Sequence, residues 1–273
     1  MPPPIRIGRS SGIGGLGLRE AWERRELLYF LVWRDFKVRH KQALLGYLWL
    51  VIQPLGLMLL YSLFFSLIAK IPSEGVPYPL YLLAALVPWR FFASSLTTGA
   101  SSVMRASALL KQVYFPRIYL PIAGVLTGAV NTAVAFLVLL GVMLYFGMWP
   151  SARIILIVPL FLLLAALGLS LSLIAASVNT YVRDVAQSIP IVVQGWMYAS
   201  PVVYPLHLVP EPVRDIYVVN PMVGIVQGFR WATLGVGPSP WALLLLSAGV
   251  TLVLFVVGLL LFRRFDRNFA DVI

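Results

Sequence analysis

The sequence predicts an all-α membrane protein with six transmembrane helices, and three observations support this fold class. First, 60% of the 273 residues are hydrophobic and 11% are charged, whereas soluble domains average about half apolar and a quarter charged. Second, the apolar runs are about 20 to 29 residues long, and roughly 20 helical residues cross a hydrocarbon core. Third, only thirteen charged residues lie among the 220 positions from 43 to 262. A chain with this pattern is predicted to lie in a membrane.

The charges between the apolar segments predict the orientation. The predicted spans lie at about residues 43–69, 78–100, 118–146, 154–178, 185–204 and 241–262. With both termini in the cytoplasm, sixteen basic residues lie inside, and those left outside are Lys70, Arg153, Arg214 and Arg230. Basic loops favour the cytoplasmic side, so cytoplasmic termini are predicted. The net charge of +11 does not indicate nucleic-acid binding, because these residues lie at span ends, where they also meet anionic lipid head groups.

Two segments precede the first span. Residues 1–17 contain three consecutive prolines and five glycines, a composition that predicts a disordered cytoplasmic tail. From residue 18 to about residue 40, aromatic side chains recur at helical spacing, acidic residues come first and basic residues last. Residues 18–42 are therefore predicted to form an amphipathic helix in the membrane interface. A soluble helix packed on a partner protein is the alternative.

Residues 205–240 are too long for a tight turn and too interrupted for a span. Two short, mostly apolar pieces, 213–219 and 222–232, are separated by Asn220-Pro221. They predict a hairpin of two short helices that dips back into the outer leaflet. A small cap outside the membrane is the alternative.

Residues suited to catalysis are few. The acids between the first and last spans, Glu74, Asp184, Glu211 and Asp215, all lie in predicted loops, whereas proton-coupled carriers usually place a carboxylate or histidine within the membrane. The sequence has no cysteine, which excludes thiolate metal sites and cysteine nucleophiles. It also lacks the phosphate-binding loop G-x-x-x-x-G-K-[ST]. We expect no catalytic residue, metal or cofactor in this chain, and any work must draw its energy from a partner.

One arginine and several aromatic residues in the spans are candidates for a transport path. A charge at mid-bilayer costs about 2.5–3.5 kcal/mol on insertion scales, so Arg90 should face protein or water. It could contact an anion such as a phosphate group, or it could bond carbonyls freed by Pro88. Aromatic rings can contact sugar faces in a channel, or they pack between helices. The candidate path residues are Trp89, Arg90, Phe91, Phe92, Trp196 and Tyr198.

The segment 102–113, between the second and third spans, is short, amphipathic and basic. It carries Arg105 and Lys111 and is followed by Tyr114. It is predicted to dock a cytosolic partner, or it is a basic loop that obeys the positive-inside rule.

Several short motifs occur in a characteristic order from about residue 19 to the end of the chain. They are Arg34-Asp35-Phe36-Lys37-Val38-Arg39, Leu45-Gly46-Tyr47-Leu48-Trp49 with Gln53-Pro54, Val87-Pro88-Trp89-Arg90-Phe91-Phe92, Val113-Tyr114-Phe115-Pro116-Arg117, Arg183-Asp184, Ser200-Pro201-Val202-Val203-Tyr204-Pro205, Asn220-Pro221-Met222, Gly228-Phe229-Arg230 and Phe269-Ala270-Asp271-Val272-Ile273. In this combination the chain resembles the permease subunits of ABC transporters that export O-antigen, capsule or teichoic-acid polymers.

The resemblance implies a complex in the bacterial inner membrane, made of two permeases and two ATP-binding cassette subunits that hold ATP and Mg. It implies coupling to these subunits through segment 102–113 and through a second contact at 179–184, which contains Arg183 and Asp184. It also implies a re-entrant hairpin before the last span and a channel at the permease dimer interface. The implied cargo is a long glycan on a polyprenyl diphosphate lipid.

Two other functions remain open at this point. An ABC exporter of drugs or of other lipids would share most of these features. A membrane glycosyltransferase or acyltransferase would instead need acids arranged as acid and base, for which Asp184 and Glu211 are the candidates.

Overall fold

The computed structural model describes residues 25–40, 46–107, 109, 116–182 and 184–266, which form helices and turns and no β-strand. The α-helices are α1 (Arg25–His40), α2 (Trp49–Ser62), α3 (Tyr78–Ala100), α4 (Ser102–Arg105), α5 (Tyr119–Tyr145), α6 (Ile157–Asn179), α7 (Asp184–Tyr198), α8 (Glu211–Val218), α9 (Pro221–Leu234) and α10 (Trp241–Asp266). Short 3₁₀ turns cover Gly46–Leu48, Ala152–Leu156 and Leu206–Leu208, and a π-helical segment, Leu63–Ile68, continues α2. The predicted tail, 1–17, and the start of the predicted interface helix, 18–24, lie outside the described residues. The all-α fold class is confirmed for the described part.

Five helical segments of the described chain are long and apolar enough to cross a membrane. They are Gly46–Ile68, Tyr78–Ala100, Tyr119–Tyr145, Ala152–Asn179 and Trp241–Phe265. The segment predicted as the fifth of six spans, 185–204, is not among them, because α7 has only 15 residues, about 22 Å at the rise of an α-helix. It ends at Tyr198, and turns follow around Pro201, since proline and the residue before it both disfavour a helix.

Helix α3 lies at the centre of the bundle and packs against α5, α6, α7 and α9. Small residues allow α6 to approach it closely, because a Cβ at Gly99 would collide with the Ser172 side chain. The Ser172 hydroxyl also donates a hydrogen bond across the two helices to the Ser95 carbonyl, at 2.9 Å. Small and hydroxyl residues are common where membrane helices meet. These contacts fix α3 against α6 and leave another of its faces towards α2 and α7.

Helix α2 is covered by the rest of the chain much less than α3. In its most apolar window 11% of the residues are buried, against 78% in α3. The exposed apolar side chains include Leu59, Leu60, Leu63 and Phe64. This face of α2 is therefore suited to contact lipid or another subunit.

Helix α1 is attached to one end of the bundle. Leu31 is 3% exposed and packs in a cluster with Tyr119, Leu120 and Phe262. Tyr29, in contrast, is 70% exposed. The helix thus has one face on the protein and an aromatic side chain outside it, and its position in the membrane interface stays a prediction.

Helices α8 and α9 form where the two short pieces of the predicted hairpin lie. Asn220 caps α9 by accepting a hydrogen bond from the Met222 N–H at 3.0 Å, and Pro221 follows as the first helical residue, an arrangement that favours a helix start. The helix ends at Gly235, whose φ of +72° is the left-handed conformation that glycine adopts readily. Within α9, every residue except Trp231 is buried, so this helix is part of the protein core.

Candidate transport groove

A polar groove of about 610 Å³ runs between α2, α3 and α7. Helix α2 contributes Leu57 and Tyr61, and α7 contributes Pro190, Val193, Gln194 and Met197. The remaining wall comes from α3 and its continuation into α4, namely Leu86, Trp89, Arg90, Ala93, Ser94, Thr97, Thr98, Ser101 and Arg105. We call this cavity the transport groove.

The polar residues of the transport groove follow one face of α3. Ser94, Thr97 and Ser101 succeed Arg90 at steps of three or four residues, which bring side chains onto the same side of a helix. Arg105 continues this series in α4, about 22 Å from Arg90 at the helical rise. The hydroxyl of Thr97 donates to the Ala93 carbonyl at 2.7 Å, which leaves its oxygen lone pairs available to a ligand. The groove therefore has hydroxyl groups along its length and an arginine near each end.

Arg90 lies between the transport groove and a second cavity. Its Nη2 donates a hydrogen bond to Gln53 Oε1 of α2 at 2.6 Å, whereas its Nη1 is buried and has no hydrogen-bond partner among the described residues. The second cavity, about 350 Å³, is enclosed by α2, α3 and α5 and is also lined by Asn131, whose Oδ1 is buried and likewise unpartnered in the described chain. The expected alternative, bonds from Arg90 to carbonyls freed by Pro88, is not found among the described contacts. Arg90 thus keeps donor capacity for a ligand or for water.

The six predicted path residues occupy different environments. Trp89 and Arg90 line the transport groove. Phe91 and Phe92 are 1% and 0% exposed, because they lie on the faces of α3 that pack inside the protein. Phe91 contacts Phe161, with 4.7 Å between ring centroids, and Phe92 contacts Trp196 at 5.2 Å.

Trp196 and Tyr198 belong to α7. Trp196 is partly buried against the core, and Tyr198 is 46% exposed at the end of the helix. Their role in transport, like that of the other four residues, stays a prediction. The sequence analysis missed the hydroxyl residues beside Arg90, although their spacing of three and four residues within an apolar span was a visible signal.

The predicted coupling residues are only partly described. Arg105 lies in α4, and its Nη2 donates to the Thr98 carbonyl at 3.1 Å. Asp184 is exposed and is the first residue of α7. Lys111, Tyr114 and Arg183 lie outside the described residues.

Asn179, the first residue of the predicted contact 179–184, connects the ends of three helices. Its Nδ2 donates to the carbonyl of Ala100, at the end of α3, at 3.1 Å. Its Oδ1 accepts a hydrogen bond from the N–H of Ala186, in the first turn of α7, at 3.1 Å. The side chain is 2% exposed. Through it, the ends of α3 and α6 and the start of α7 are joined directly beside the transport groove.

Arg230, which was counted among the basic residues of the outer side and falls in the second predicted piece of the hairpin, is buried in α9. Its guanidinium donates to the carbonyls of Pro201 and Val202 at 2.6 Å each and to that of Tyr81 at 3.2 Å. The Arg230 Cζ also lies 3.6 Å from the centroid of the Tyr81 ring. Arg230 thus anchors the turn after α7 to α3 and α9, and this role was not predicted.

The described residues contain no group of three or more His, Asp, Glu or Cys side chains that could hold a metal ion. The two acids considered for a transferase are also far apart along the chain's path. Asp184 begins α7, whereas Glu211 follows the far end of that helix, which is itself about 22 Å long.

The comparisons with known proteins agree with the motifs quoted above. The family model "ABC-2 type transporter" matches residues 26–234. An "O-antigen export system permease protein" of Myxococcus xanthus is 31% identical over 216 residues, covering 78% of this chain and 82% of the relative. A protein of the same description from Klebsiella pneumoniae is 26% identical over 253 residues, covering 91% of this chain and 95% of the relative.

The name of a third relative refers to a different polymer. The "polysialic acid transport protein" of Escherichia coli is 25% identical over 231 residues, covering 84% of this chain and 90% of the relative. The predicted resemblance to ABC exporter permeases is confirmed by these matches. The chain belongs to the ABC-2 type transporter family of membrane proteins.

Proposed function

We propose that this chain is the channel-forming permease of an ATP-driven exporter, which moves a polysaccharide linked to a polyprenyl diphosphate from the cytoplasm across the inner membrane. The observation that carries the proposal is the transport groove, in which Arg90, four hydroxyl residues and Trp89 share one wall. The names of the relatives support the class of cargo, since they describe export of O-antigen and of polysialic acid.

The chemistry of the transport groove suits a long glycan. Hydroxyl groups exchange weak hydrogen bonds with sugar hydroxyls, and the Trp89 ring can contact a sugar face. Such contacts are many and individually weak, so a polymer can slide past them. Arg90 supplies the positive charge that a diphosphate head group requires. Its Nη1 can donate to that group, because it makes no hydrogen bond to the described protein.

A second copy of the chain is the proposed partner along α2. This helix is apolar and mostly uncovered by its own chain, and the transport groove opens beside it. Two copies facing each other would enclose the two grooves in one channel. The copy number itself rests on the resemblance to the family.

Two ATP-binding cassette subunits, which would hold ATP and Mg, are the proposed source of energy. The proposed contacts are segment 102–113 with Arg105 and Lys111, the following Tyr114, and segment 179–184 with Arg183 and Asp184. Asn179 supports this proposal, since its two hydrogen bonds join the start of segment 179–184 to the end of α3 and to the first turn of α7. These helices form two walls of the transport groove.

The proposed topology has six crossings, with both termini in the cytoplasm and α8 and α9 as a re-entrant hairpin on the outer side. In this arrangement α7 and the turns after it make the fifth crossing. The burial of α9 and the polar anchor at Arg230 support a hairpin that is held within protein, where non-helical backbone is tolerated at membrane depth.

The alternative cargo is another lipid or a drug. Trp89 and the apolar part of the groove wall would suit such molecules as well as a glycan. A transferase is disfavoured because Asp184 begins α7, whereas Glu211 begins α8, beyond the far end of α7.

The native mass of the tagged complex, extracted gently from its own cell, tests the proposal. Two copies of this chain with two copies of a nucleotide-binding subunit are expected. A complex that lacks any ATPase would overturn the ATP-driven exporter. A second measurement tests the cargo: depletion of the chain should leave lipid-linked glycan inside the cell, and unchanged glycan export would exclude it as the substrate.

A further inference from the structure

A second surface of the protein is suited to bind lipid, and it shares no lining residue with the transport groove. An apolar crevice of about 220 Å³ lies between α6, α9 and α10. Its walls include Leu160, Gly228, Trp231, Trp241, Leu244 and Ala248. We call it the lipid crevice. Gly228 leaves room at its base, because a Cβ there would lie 2.8 Å from Leu160 Cδ2.

The mouth of the lipid crevice carries a pair of tryptophans and a cation. The rings of Trp231 and Trp241 meet edge to face, with centroids 5.9 Å apart. The guanidinium carbon of Arg153 lies 4.6 Å from the centroid of the Trp231 ring. Arg153 is exposed and forms no ion pair within the described part of the chain. Its charge is therefore available to an external anion.

The order of side chains along the crevice matches the order of head group and acyl chain in a lipid. Tryptophans collect at the level of the head groups, and Trp241 begins α10. From Trp241 to Ala248 the wall continues for seven residues, about 10 Å along the helix, with apolar side chains only. An acyl chain fits below the tryptophans, while the head group lies beside Arg153.

The position of Arg153 needs a reason, because it is one of the basic residues on the proposed outer side, where such residues are few. Arg230 and Arg214 in the same group are accounted for by bonds to backbone carbonyls. Arg153 instead stacks on a crevice wall. A cation held against an aromatic ring at the mouth of an apolar crevice is complementary to a lipid phosphate.

We propose that the lipid crevice binds an anionic phospholipid of the bilayer, with one acyl chain between α9 and α10 and the phosphate group on Arg153. This site is separate from the proposed path of the cargo, and it requires only that the chain lies in a membrane. Binding there would hold α9 against α10 and so stabilise this buried helix.

Tryptophan fluorescence tests this proposal, since bromine atoms on an acyl chain quench rings that they contact. The purified complex is placed in nanodiscs that contain either brominated phosphatidylglycerol or brominated phosphatidylcholine in an unbrominated zwitterionic background. The signal of Trp231 is obtained as the difference between the unaltered protein and Trp231→Phe. We expect half-maximal quenching of Trp231 at about a fivefold lower fraction of the anionic lipid than of the zwitterionic lipid. This difference corresponds to the interaction of one basic residue with anionic head groups.

Arg153→Gln should remove this preference while some quenching by both lipids remains. Lys70→Gln is the matched control, because Lys70 is another exposed basic residue on the proposed outer side and does not line the crevice. Equal quenching of Trp231 by the two lipids would overturn the proposal and leave an unselective lipid contact. An equal loss of preference in Lys70→Gln would overturn the role of Arg153. Retention of phosphatidylglycerol in the native mass of the complex, reduced in Arg153→Gln, gives a second readout.

Discussion

Substitution of Arg90 tests which of two roles this residue has. It either supplies a positive charge on the transport path or only holds α2 against α3. Its Nη2 bonds Gln53 at 2.6 Å, and its Nη1 has no partner in the described chain. If Nη1 contacts the diphosphate during export, Arg90→Gln removes one charge-assisted hydrogen bond, worth about 1.5–3 kcal/mol. This corresponds to a fall in export rate of about 10- to 150-fold. Arg90→Lys keeps the charge and should retain most of the activity.

Gln53→Ala is the matched control. If Arg90 served only to hold α2 against α3, this variant would lose export as well. It cuts the same bond between α2 and α3 but leaves the positive charge in the groove. We expect export by Gln53→Ala to stay within about threefold of the unaltered protein. Export is measured as the appearance of glycan at the cell surface, normalised to the amount of assembled complex.

The amount of complex should not fall in Arg90→Gln. A charge at mid-bilayer costs about 2.5–3.5 kcal/mol on insertion, so its removal does not hinder membrane integration. The reasoning would be refuted if Gln53→Ala lost as much export as Arg90→Gln, since the bond and not the charge would then matter. Normal export by Arg90→Gln would equally refute it.

Three further predictions concern the framework around the groove. Arg230→Met should lower the melting temperature sharply, because each of three buried carbonyls loses a donor at about 1–3 kcal/mol; a shift below 2 °C would contradict this anchor. Gly99→Ala should destabilise the complex by about 1–3 kcal/mol through its collision with Ser172, whereas Gly141→Ala, with open space at its Cβ, should be neutral or slightly stabilising in the same thermal assay. Asn179→Ala should leave ATP hydrolysis by the purified complex within about twofold and reduce export about tenfold, because its two bonds join the end of α6 to α3 and α7; a parallel loss of both activities would contradict a coupling role.

The long helices could be predicted from the sequence almost to the residue. The predicted second and third spans, 78–100 and 118–146, compare with α3 (Tyr78–Ala100) and α5 (Tyr119–Tyr145). Both apolar runs are bounded by prolines and polar residues, so local composition alone marks their ends. The predicted fifth span extended to residue 204, beyond the end of α7. Hydropathy does not register the turns around Pro201, because the residues that form them are themselves mostly apolar.

The candidate site was less predictable because it depends on contacts between distant parts of the chain. Helix α3 is buried on most sides, so its hydrophobic pattern does not show which face meets the groove and which faces meet the core. Phe91 and Phe92 were therefore grouped with Trp89. The anchoring role of Arg230 was not predicted, since its partners lie 28 to 149 positions away. Only the folded chain brings those carbonyls to the guanidinium.

The π-helical end of α2 gives this helix a way to move that a uniform α-helix lacks. The Ala69 N–H bonds the carbonyl of Phe64, five residues earlier, at 2.9 Å, where an α-helix would reach back four. A π segment therefore holds one surplus residue in its wide turn. When that turn shifts along the chain, each residue that it passes rotates about the helix axis by roughly the 100° of one residue, and the backbone hydrogen bonds form again behind it. Because Gln53 near the start of α2 is held by its bond to Arg90, such a shift would turn the apolar side chains of the far half of α2 while the first half stays in place.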